Sequence, residues 1–235
     1  MRRPSTPGVA LGVHSGPGHR RGRFMAKQER AGRTRRALLT AAAEEFDRLG
    51  YAGASLAGIA RAAGISLGAL TFHFASKEDL ATAVREQGDA ATRALVAGTA
   101  TSKEPPLQYV ASLTLALVEL LENNVSVRAA ARLAREASGV RHDWQSLWAP
   151  LISKRLQEPV SAGPWPETDP TALTALAVHL VSGVEATMRH RCCPDVHDSN
   201  AVMLARIWRQ ILPQLPDPGA GSDTAEPSAS RPGPP

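Results

Sequence analysis

Apolar residues recur every three or four positions along most of this chain, the spacing of one face of an α-helix. No stretch alternates apolar and polar residues as a half-buried strand does. Alanine, leucine and arginine dominate, while Phe, Tyr and Trp together are only 4% of the residues. The pattern predicts an all-α protein, because sheets depend more on aromatic and β-branched residues.

Four helices are predicted in the first third of the chain. The first covers roughly 33–49 and ends at Gly50, where a left-handed cap is common. Ser55 is a good N-cap for the second helix, and the third is short, roughly 67–73. Between them lies the turn Gly64-Ile65-Ser66, in which the glycine supplies a positive φ. Helix, three-residue turn and short helix form the layout of a helix-turn-helix motif.

Further helices are predicted beyond Ser76, which caps the fourth helix. They cover roughly 107–121, 126–138 and 145–157, followed by two strongly apolar helices near 171–190 and 200–212. We therefore divide the chain into a helix-turn-helix domain over 25–80 and a larger helical domain over 81–212. Such breadth of apolar helix surface favours a homodimer, because one small domain could hardly bury both final helices alone.

The two ends of the chain differ from the patterned part. Residues 1–24 are rich in Gly, Pro and Arg and are predicted to be a disordered basic leader, so translation starts at either Met1 or Met25. Residues 213–235 are rich in Pro, Gly, Ser and Ala and are predicted to be a disordered tail. The five arginines of the leader equal the whole formal net charge of +5. The basic character that remains is local, from Lys27 to Arg36 just before the first predicted helix.

Several classes of protein are excluded or disfavoured by simple features. There are two cysteines, adjacent at Cys192 and Cys193, so no disulfide framework is predicted and a cytoplasmic location is expected. The sequence contains no run of about 18 apolar residues, so no membrane span is predicted. Catalytic and nucleotide-binding motifs such as GxSxG, HExxH and GxGxxG are missing, so we expect neither an enzyme nor a cofactor.

A nucleic-acid interface is the function that the helix-turn-helix layout indicates. Its short helix would enter the major groove of double-stranded DNA, and the basic segment before it would contact phosphates. Small or polar residues at the tip of that helix let the backbone approach the base edges. Lys77, at the start of the fourth helix, could hold a phosphate together with backbone N–H groups.

The stretch from Arg33 to Val84 resembles the DNA-binding domain of TetR-family regulators. The resemblance rests on Phe46, Gly50-Tyr51, Ile59-Ala60, Ala63-Gly64, Phe72-His73-Phe74 and Ser76-Lys77-Glu78-Asp79-Leu80. Within that family the chain is most similar to the γ-butyrolactone autoregulator receptors, through the segments 25–31 (MAKQERA), 68–74 (GALTFHF) and 128–136 (RAAARLARE). The resemblance implies a homodimeric repressor that leaves a palindromic operator when a small molecule binds.

The recognition helix departs from those receptors at two positions. Leu67 stands where they usually carry Lys, and Thr71 stands where they carry Tyr. Threonine at this position is also found in the pseudo-receptors, which resemble the receptors but often respond to antibiotics or biosynthetic intermediates. The candidate DNA-binding residues are Arg33, Arg36, Ser55, Ser66, Leu67, Gly68, Thr71, His73 and Lys77. For His73, a phosphate contact and a helix-end cap remain equal alternatives.

Trp148 and Trp144 are the candidate ligand-binding residues. In the resembling receptors one tryptophan near this point lines the ligand pocket, and an indole offers a lactone both a broad apolar face and one N–H donor. The alternative for both residues is ordinary core packing. Trp148 is favoured because an apolar run follows it into the next helix.

A second functional hypothesis rests on the segment 190–197 (HRCCPDVH). Its two His and two Cys could serve a thiol- or metal-responsive regulator on the same scaffold. Adjacent cysteines lack the spacer that lets two thiolates face one tetrahedral ion, so Cys192 and Cys193 are not predicted to form a metal site. A third class, a helical enzyme or a non-DNA-binding interaction protein, is disfavoured by the basic segment and the recognition helix.

Overall fold

The structure, a computed structural model, describes residues 17–136, 143–158, 169–190 and 199–212. Within these ranges every regular element is helical, as predicted. The elements are α1 (Pro17–Gly53), α2 (Leu56–Ala62), α3 (Leu67–His73), α4 (Lys77–Thr99), α5 (Pro106–Asn123), α6 (Val125–Glu136), a 3₁₀ turn (Trp144–Leu147), α7 (Ala149–Leu156), α8 (Pro170–His190) and α9 (Asn200–Ile211).

The first helix begins much earlier than the apolar pattern predicted. Residues 17–24, expected to be disordered, are the first turns of α1, and the basic segment lies inside this helix rather than before it. Pro17 suits a first helical position because its φ is already set, and good helix formers such as Arg, Met, Ala and Gln follow it. The remaining ends, 1–16 and 213–235, lie outside the described residues.

Glycines at positive φ form both turns of the helix-turn-helix region. Gly64 has φ of 69°, as the turn between α2 and α3 requires. Gly50 has φ of 71° but ψ of −178°, so it breaks α1 with a positive φ and an extended ψ instead of the left-handed helical cap that was expected. This combination is essentially restricted to glycine. It turns the chain out of α1 and towards α2.

Two hydrophobic cores lie along the molecule. The first joins α1 to the helix-turn-helix and includes Phe46, Ile59 and Leu70. The second joins α5 to the last helices and contains three tryptophans, at positions 144, 148 and 208. Helix α4 packs against both cores, so the domain boundary proposed after residue 80 falls within a continuous helix.

Helix α6 also contributes to both cores. Ala129 and Leu133 belong to the first core, and Val127 and Ala131 belong to the second. The two sets lie on different faces of one short helix. Helix α6 therefore connects the helix-turn-helix to the larger helical domain.

The helix predicted over 145–157 is interrupted. Trp144–Leu147 form a 3₁₀ turn, Trp148 has non-helical dihedral angles, and α7 starts only at Ala149. The cause is Pro150, which lacks an N–H and would clash with the carbonyl four residues earlier if the helix were continuous. In the first turn of a new helix the same proline is tolerated. The break sets Trp148 at the junction of two elements.

Both of the last two helices are apolar, and α9 leaves much of its apolar surface exposed. Val202, Met203, Ile207 and Ile211 of α9 are exposed. Helix α8 is apolar enough by composition to cross a membrane, with a mean hydropathy of 1.3 over Pro170–Arg189 and 17% of that stretch buried. Helix α8 reaches this mean hydropathy without an unbroken run of about 18 apolar residues, because Thr, Ser and His interrupt its apolar positions. The helix nevertheless carries Glu185, which is buried and ion-paired.

Candidate DNA-binding interface and effector site

Helix α3 turns one side inwards and presents the other to solvent. The axes of α2 and α3 meet at 104°, within the range of helix-turn-helix units. Leu70 is buried in the first core, and Phe74, which follows the helix, is buried with it. The exposed side consists of Leu67, Gly68, Thr71 and Phe72, which we name the outer strip of α3.

Phe72 is the most exposed large apolar side chain of the described residues, at 86% of its surface. Leu67, at the start of the helix, is 47% exposed. In the sequence, Phe72 is part of the family resemblance but is not among the predicted DNA-binding residues. The missed signal is helical geometry: position 72 lies two residues beyond the inward Leu70, and therefore on the opposite side of the helix.

The three serines assigned from the sequence begin helices. The Ser55 hydroxyl oxygen accepts a hydrogen bond from the Gly58 N–H at 3.1 Å, and that of Ser66 accepts one from the Ala69 N–H at 3.2 Å. Ser76 caps α4 in the same way. These caps hold α2 and α3 in place. The hydroxyl protons of Ser55 and Ser66, both exposed, remain able to donate to a phosphate.

Basic side chains lie on α1 beside the helix-turn-helix. Arg33 and Arg36 are exposed and stand one helical turn apart, so they share a face. The Arg35 guanidinium lies over the Phe74 ring, 5.2 Å from its centroid. This cation–π contact connects α1 to the residue that ends α3. The positive charge on α1 is thereby held close to the recognition helix.

Lys77 does not stand free at the start of α4. Its Nζ donates to the carbonyl oxygens of Tyr51 and Ala54, at 2.8 and 3.1 Å, and lies 4.4 Å from the centroid of the Tyr51 ring. This ammonium therefore holds the end of α1 and the start of the loop that follows it, and its contact with a phosphate stays a prediction. His73 is half-buried, with its ring edge-on to Phe72 at 5.5 Å.

The three buried tryptophans differ in how their indole N–H groups are satisfied. Trp144 Nε1 donates to Thr92 Oγ1 at 2.9 Å, and Trp208 Nε1 donates to Thr114 Oγ1 at 2.8 Å. Trp148 is fully buried and its Nε1 has no hydrogen-bond partner. An unpaired buried donor costs about 1–3 kcal/mol, so a ligand that offered an acceptor to the Trp148 N–H would recover this free energy. The rings of Trp144 and Trp148 contact each other edge to face, 5.8 Å apart.

Polar side chains of α6 grip the end of α1. Arg132 donates from Nη1 to the Asp47 carbonyl at 2.6 Å, and Arg128 donates from Nε to the Asp47 carboxylate at 2.7 Å. Glu136 accepts the Tyr51 N–H at 2.6 Å and the Arg132 Nε–H at 2.7 Å. We name Arg128, Arg132 and Glu136 the α6 ladder. These three residues span two turns of α6, and they hold the chain where it leaves α1 for the helix-turn-helix.

A buried carboxylate lies next to this joint. Glu185 of α8 is ion-paired with Arg135 and Arg189. Burial raises the pKa of the Glu185 carboxyl above its ordinary value, and the nearby guanidinium of Arg135 offsets only part of that effect. A cleft of about 670 Å³ opens here between α1, α6 and α8, lined by acidic and basic side chains in equal number. One of its lining residues, Met188, also packs against the core that holds the tryptophans.

The candidate residues thus form two separate groups. Those for DNA lie around α3 and on α1, and those for a ligand lie in the second core, with α4 and α6 between them. Cys192 and Cys193 are outside the described residues. Within the described ranges, no three His, Cys, Asp or Glu side chains come together as a metal site would require.

Known proteins share this architecture and about a third or less of the sequence. The family of bacterial regulatory proteins of the tetR type matches residues 38–84. The A-factor receptor protein of Streptomyces griseus is 32% identical over 202 residues, covering 83% of this chain and 68% of that protein.

Solved structures extend the comparison. A γ-butyrolactone receptor, described as an ArpA-like protein, superposes with a TM-score of 0.56 at 27% identity, covering 77% of this chain and 99% of that one. CprB from Streptomyces coelicolor, solved in complex with its operator sequence, gives a TM-score of 0.57 at 29% identity over the same shares of the two chains. The chain belongs to the TetR family of bacterial regulatory proteins, in the group of the γ-butyrolactone receptors.

Proposed function

We propose that this protein is a ligand-responsive transcriptional repressor that controls secondary metabolism, including antibiotic production. A dimer binds a palindromic operator, and a small molecule in the larger helical domain releases it. The proposal rests on the position of α6. One face of α6 packs in the second core, which holds the tryptophans, and the α6 ladder holds the end of α1. A ligand that displaces the core would move the element on which the DNA-binding helices rest.

DNA binding is assigned to α3 and its surroundings. The outer strip of α3 enters the major groove, and Arg33 and Arg36 bind phosphates. Ser55, Ser66 and His73 supply further contacts to the backbone, and Lys77 acts by holding the loop after α1. Salt dependence follows, because each neutralised phosphate releases counterions. We expect the protein in the cytoplasm, because that is where it would meet its operator DNA.

Dimerisation is assigned to α8 and α9. Met203, Ile207 and Ile211 recur every four residues, so they form one exposed apolar stripe along α9. The larger apolar side chains of α8 are at least partly buried in a single copy, and its exposed positions carry small or polar residues: Thr171, Ala172, Ala175, His179, Gly183 and Thr187. A two-fold partner that presents the same helices would bury both surfaces, and two copies of α3 would then meet successive major grooves.

The ligand site is assigned to Trp148. Its unpaired indole N–H would donate to a carbonyl oxygen, and its ring would cover an apolar chain. Because the side chain is fully buried, a ligand must displace neighbouring core side chains to reach it. Trp144, whose N–H is already bonded to Thr92, would form a wall of the site. A γ-butyrolactone with an alkyl tail fits this chemistry.

The class of ligand separates two subgroups of the family. A γ-butyrolactone makes the protein a true receptor, whereas an antibiotic or intermediate makes it a pseudo-receptor. Two departures on the outer strip, Leu67 and Thr71, change the operator sequence and its affinity rather than the choice of ligand.

Fluorescence anisotropy tests the proposal. The purified protein is titrated onto the DNA upstream of its own gene, with and without γ-butyrolactones. We expect tight, salt-dependent binding that the lactone abolishes. Release only by a pathway antibiotic would assign the pseudo-receptor class. Absence of binding to that DNA and to sequences selected from a random pool would contradict the proposal.

Two phenylalanine variants test the ligand site. Trp148→Phe should keep operator affinity but weaken lactone-induced release about tenfold, because it removes the free donor, worth about 1.5 kcal/mol. Trp144→Phe is the matched control: it removes an indole N–H that already has a partner, so release should change less. Equal release by Trp148→Phe and the unaltered protein would show that the pocket lies elsewhere.

The thiol- or metal-responsive alternative has no support from the relatives. A Cys192→Ser, Cys193→Ser double variant decides it. If its operator binding still responds to oxidant or to zinc as the unaltered protein does, these cysteines are not the sensor.

A further inference from the structure

The outer strip of α3 carries unusual chemistry for a surface that reads DNA. Between Arg61 and Lys77 the chain has no Arg, Lys, Asp or Glu. The Thr71 hydroxyl donates to the Gly68 carbonyl at 3.1 Å, so its proton is used within the helix. What faces outwards is a phenylalanine ring, a leucine, a glycine and a threonine. The strip offers no bidentate donor for guanine and no carboxylate for cytosine.

Base edges in the major groove are polar with one exception, the C5-methyl group of thymine. An aromatic ring placed over a polar edge would remove that edge from water without replacing its hydrogen bonds, which is unfavourable. The same ring placed over methyl groups buries apolar surface on both sides. The strip therefore matches thymine far better than the polar edges of guanine or cytosine.

We propose that Phe72, assisted by Leu67, recognises the C5-methyl groups of thymines in each operator half-site and is the main source of base specificity. The inference rests on the DNA-binding function proposed above and names what that site reads. Phosphate affinity then comes from α1, and sequence preference comes from apolar contact.

The surroundings of Phe72 favour DNA as the occupant over a protein partner. Arg33 and Arg36 stand exposed on α1, and Arg35 lies over the ring of Phe74, two residues from Phe72. Cations on the helix that contacts the end of α3, together with an exposed apolar strip on α3, suit a polyanion that also presents methyl groups. The operator complex of CprB, a structural neighbour, shows that this fold accommodates duplex DNA.

The test compares thymine with uracil, which differ by this one methyl group. A 30-base-pair duplex is selected from a random pool with the unaltered protein, and each thymine is replaced in turn by deoxyuridine. Anisotropy titrations are run at a single salt concentration, with the unaltered protein, Phe72→Ala and the conservative variant Phe72→Leu. Thermal unfolding checks that the variants fold, as the exposure of Phe72 leads us to expect.

We expect one or two positions at which uracil weakens binding by the unaltered protein about fourfold per methyl group. At those positions Phe72→Ala should bind thymine and uracil duplexes equally, and Phe72→Leu should retain most of the preference. The inference is overturned if uracil has no effect at any position while binding stays tight. It is also overturned if Phe72→Ala keeps the full thymine preference, as for a residue that serves a protein partner. Failure of the unaltered protein to select any sequence would instead reject the proposed function itself.

Discussion

Replacing Gly50 by alanine should destabilise the protein by about 2–5 kcal/mol, through two separable effects. The first is conformational. With φ of 71° and ψ of −178°, residue 50 occupies a region that only glycine adopts readily, and a side chain there costs about 1–3 kcal/mol. This effect depends on the backbone alone.

The second effect is steric. A Cβ at position 50 would lie 2.5 Å from Glu136 Oε2 and 2.8 Å from its Cδ, closer than real Cβ contacts. The carboxylate would have to move and give up its hydrogen bonds to Tyr51 N and Arg132 Nε. Their loss costs about 1–2 kcal/mol, at the lower end for charged hydrogen bonds because the Glu136 side chain is 34% exposed.

Urea unfolding at one fixed protein concentration measures both effects, since dimerisation makes stability depend on concentration. Gly50→Ala, Glu136→Ala and the double variant form a cycle. The double variant should be about as stable as Gly50→Ala alone, because both single changes lose the same hydrogen bonds. The control is Gly98→Ala on an exposed part of α4, where a Cβ meets nothing and stability should rise by about 0.5–1 kcal/mol. Strict additivity in the cycle, or an unchanged stability of Gly50→Ala, would refute the reasoning.

Two further predictions concern the elements between the sites. Gly88→Ala should destabilise the protein by about 2–3 kcal/mol or more, because a Cβ would lie 2.6 Å from Ala130 Cβ and even closer to a carbonyl of α6. A free energy of unfolding in urea equal to that of the unaltered protein would contradict this close crossing of α4 and α6. Burial raises the pKa of the Glu185 carboxyl, so the folded protein binds its proton more tightly than the unfolded chain does. The stability that this proton contributes is complete below the ordinary glutamate pKa near 4.3 and is lost as the pH rises through the raised pKa of the folded state. Unfolding curves from pH 4 upwards should therefore show a decline that Glu185→Gln reduces, and an identical decline in the variant would disprove the assignment.

Elements whose hydrogen bonds are local were predictable from the sequence. The caps formed by Ser55, Ser66 and Ser76 each join residues three positions apart, and the Gly64 turn closes within the same motif. The spacing of apolar residues then predicted where the helices lie. The two helices whose bounds it predicted wrongly, α1 and the helix over 145–157, also have local causes. The start of α1 was missed because good helix formers without an apolar face carry no period, and Pro150 divided a helix that the period alone would continue.

The roles of individual side chains in the two sites depend on contacts between distant residues. Lys77 finds its two carbonyl acceptors 26 and 23 residues back along the chain, and these contacts hold its ammonium against the end of α1. Trp144 finds a threonine 52 residues away, whereas Trp148, four residues later, finds no partner. A pattern of residue types cannot distinguish the two tryptophans, because the difference lies in which helix packs against each.

The sequence by itself determined the all-α class, the helix-turn-helix and the family, because propensity, caps and turns act over a few residues and the family motif is contiguous. Only the tertiary structure decided the hydrogen-bond partners of Lys77, the unpaired indole N–H of Trp148 and the hydrogen bonds of the α6 ladder to α1. The hydrogen bond from Tyr51 to Glu136 spans 85 residues. Contacts of that span arise when packing brings helices together, and packing depends on the shapes of whole helix faces rather than on any local run of residues.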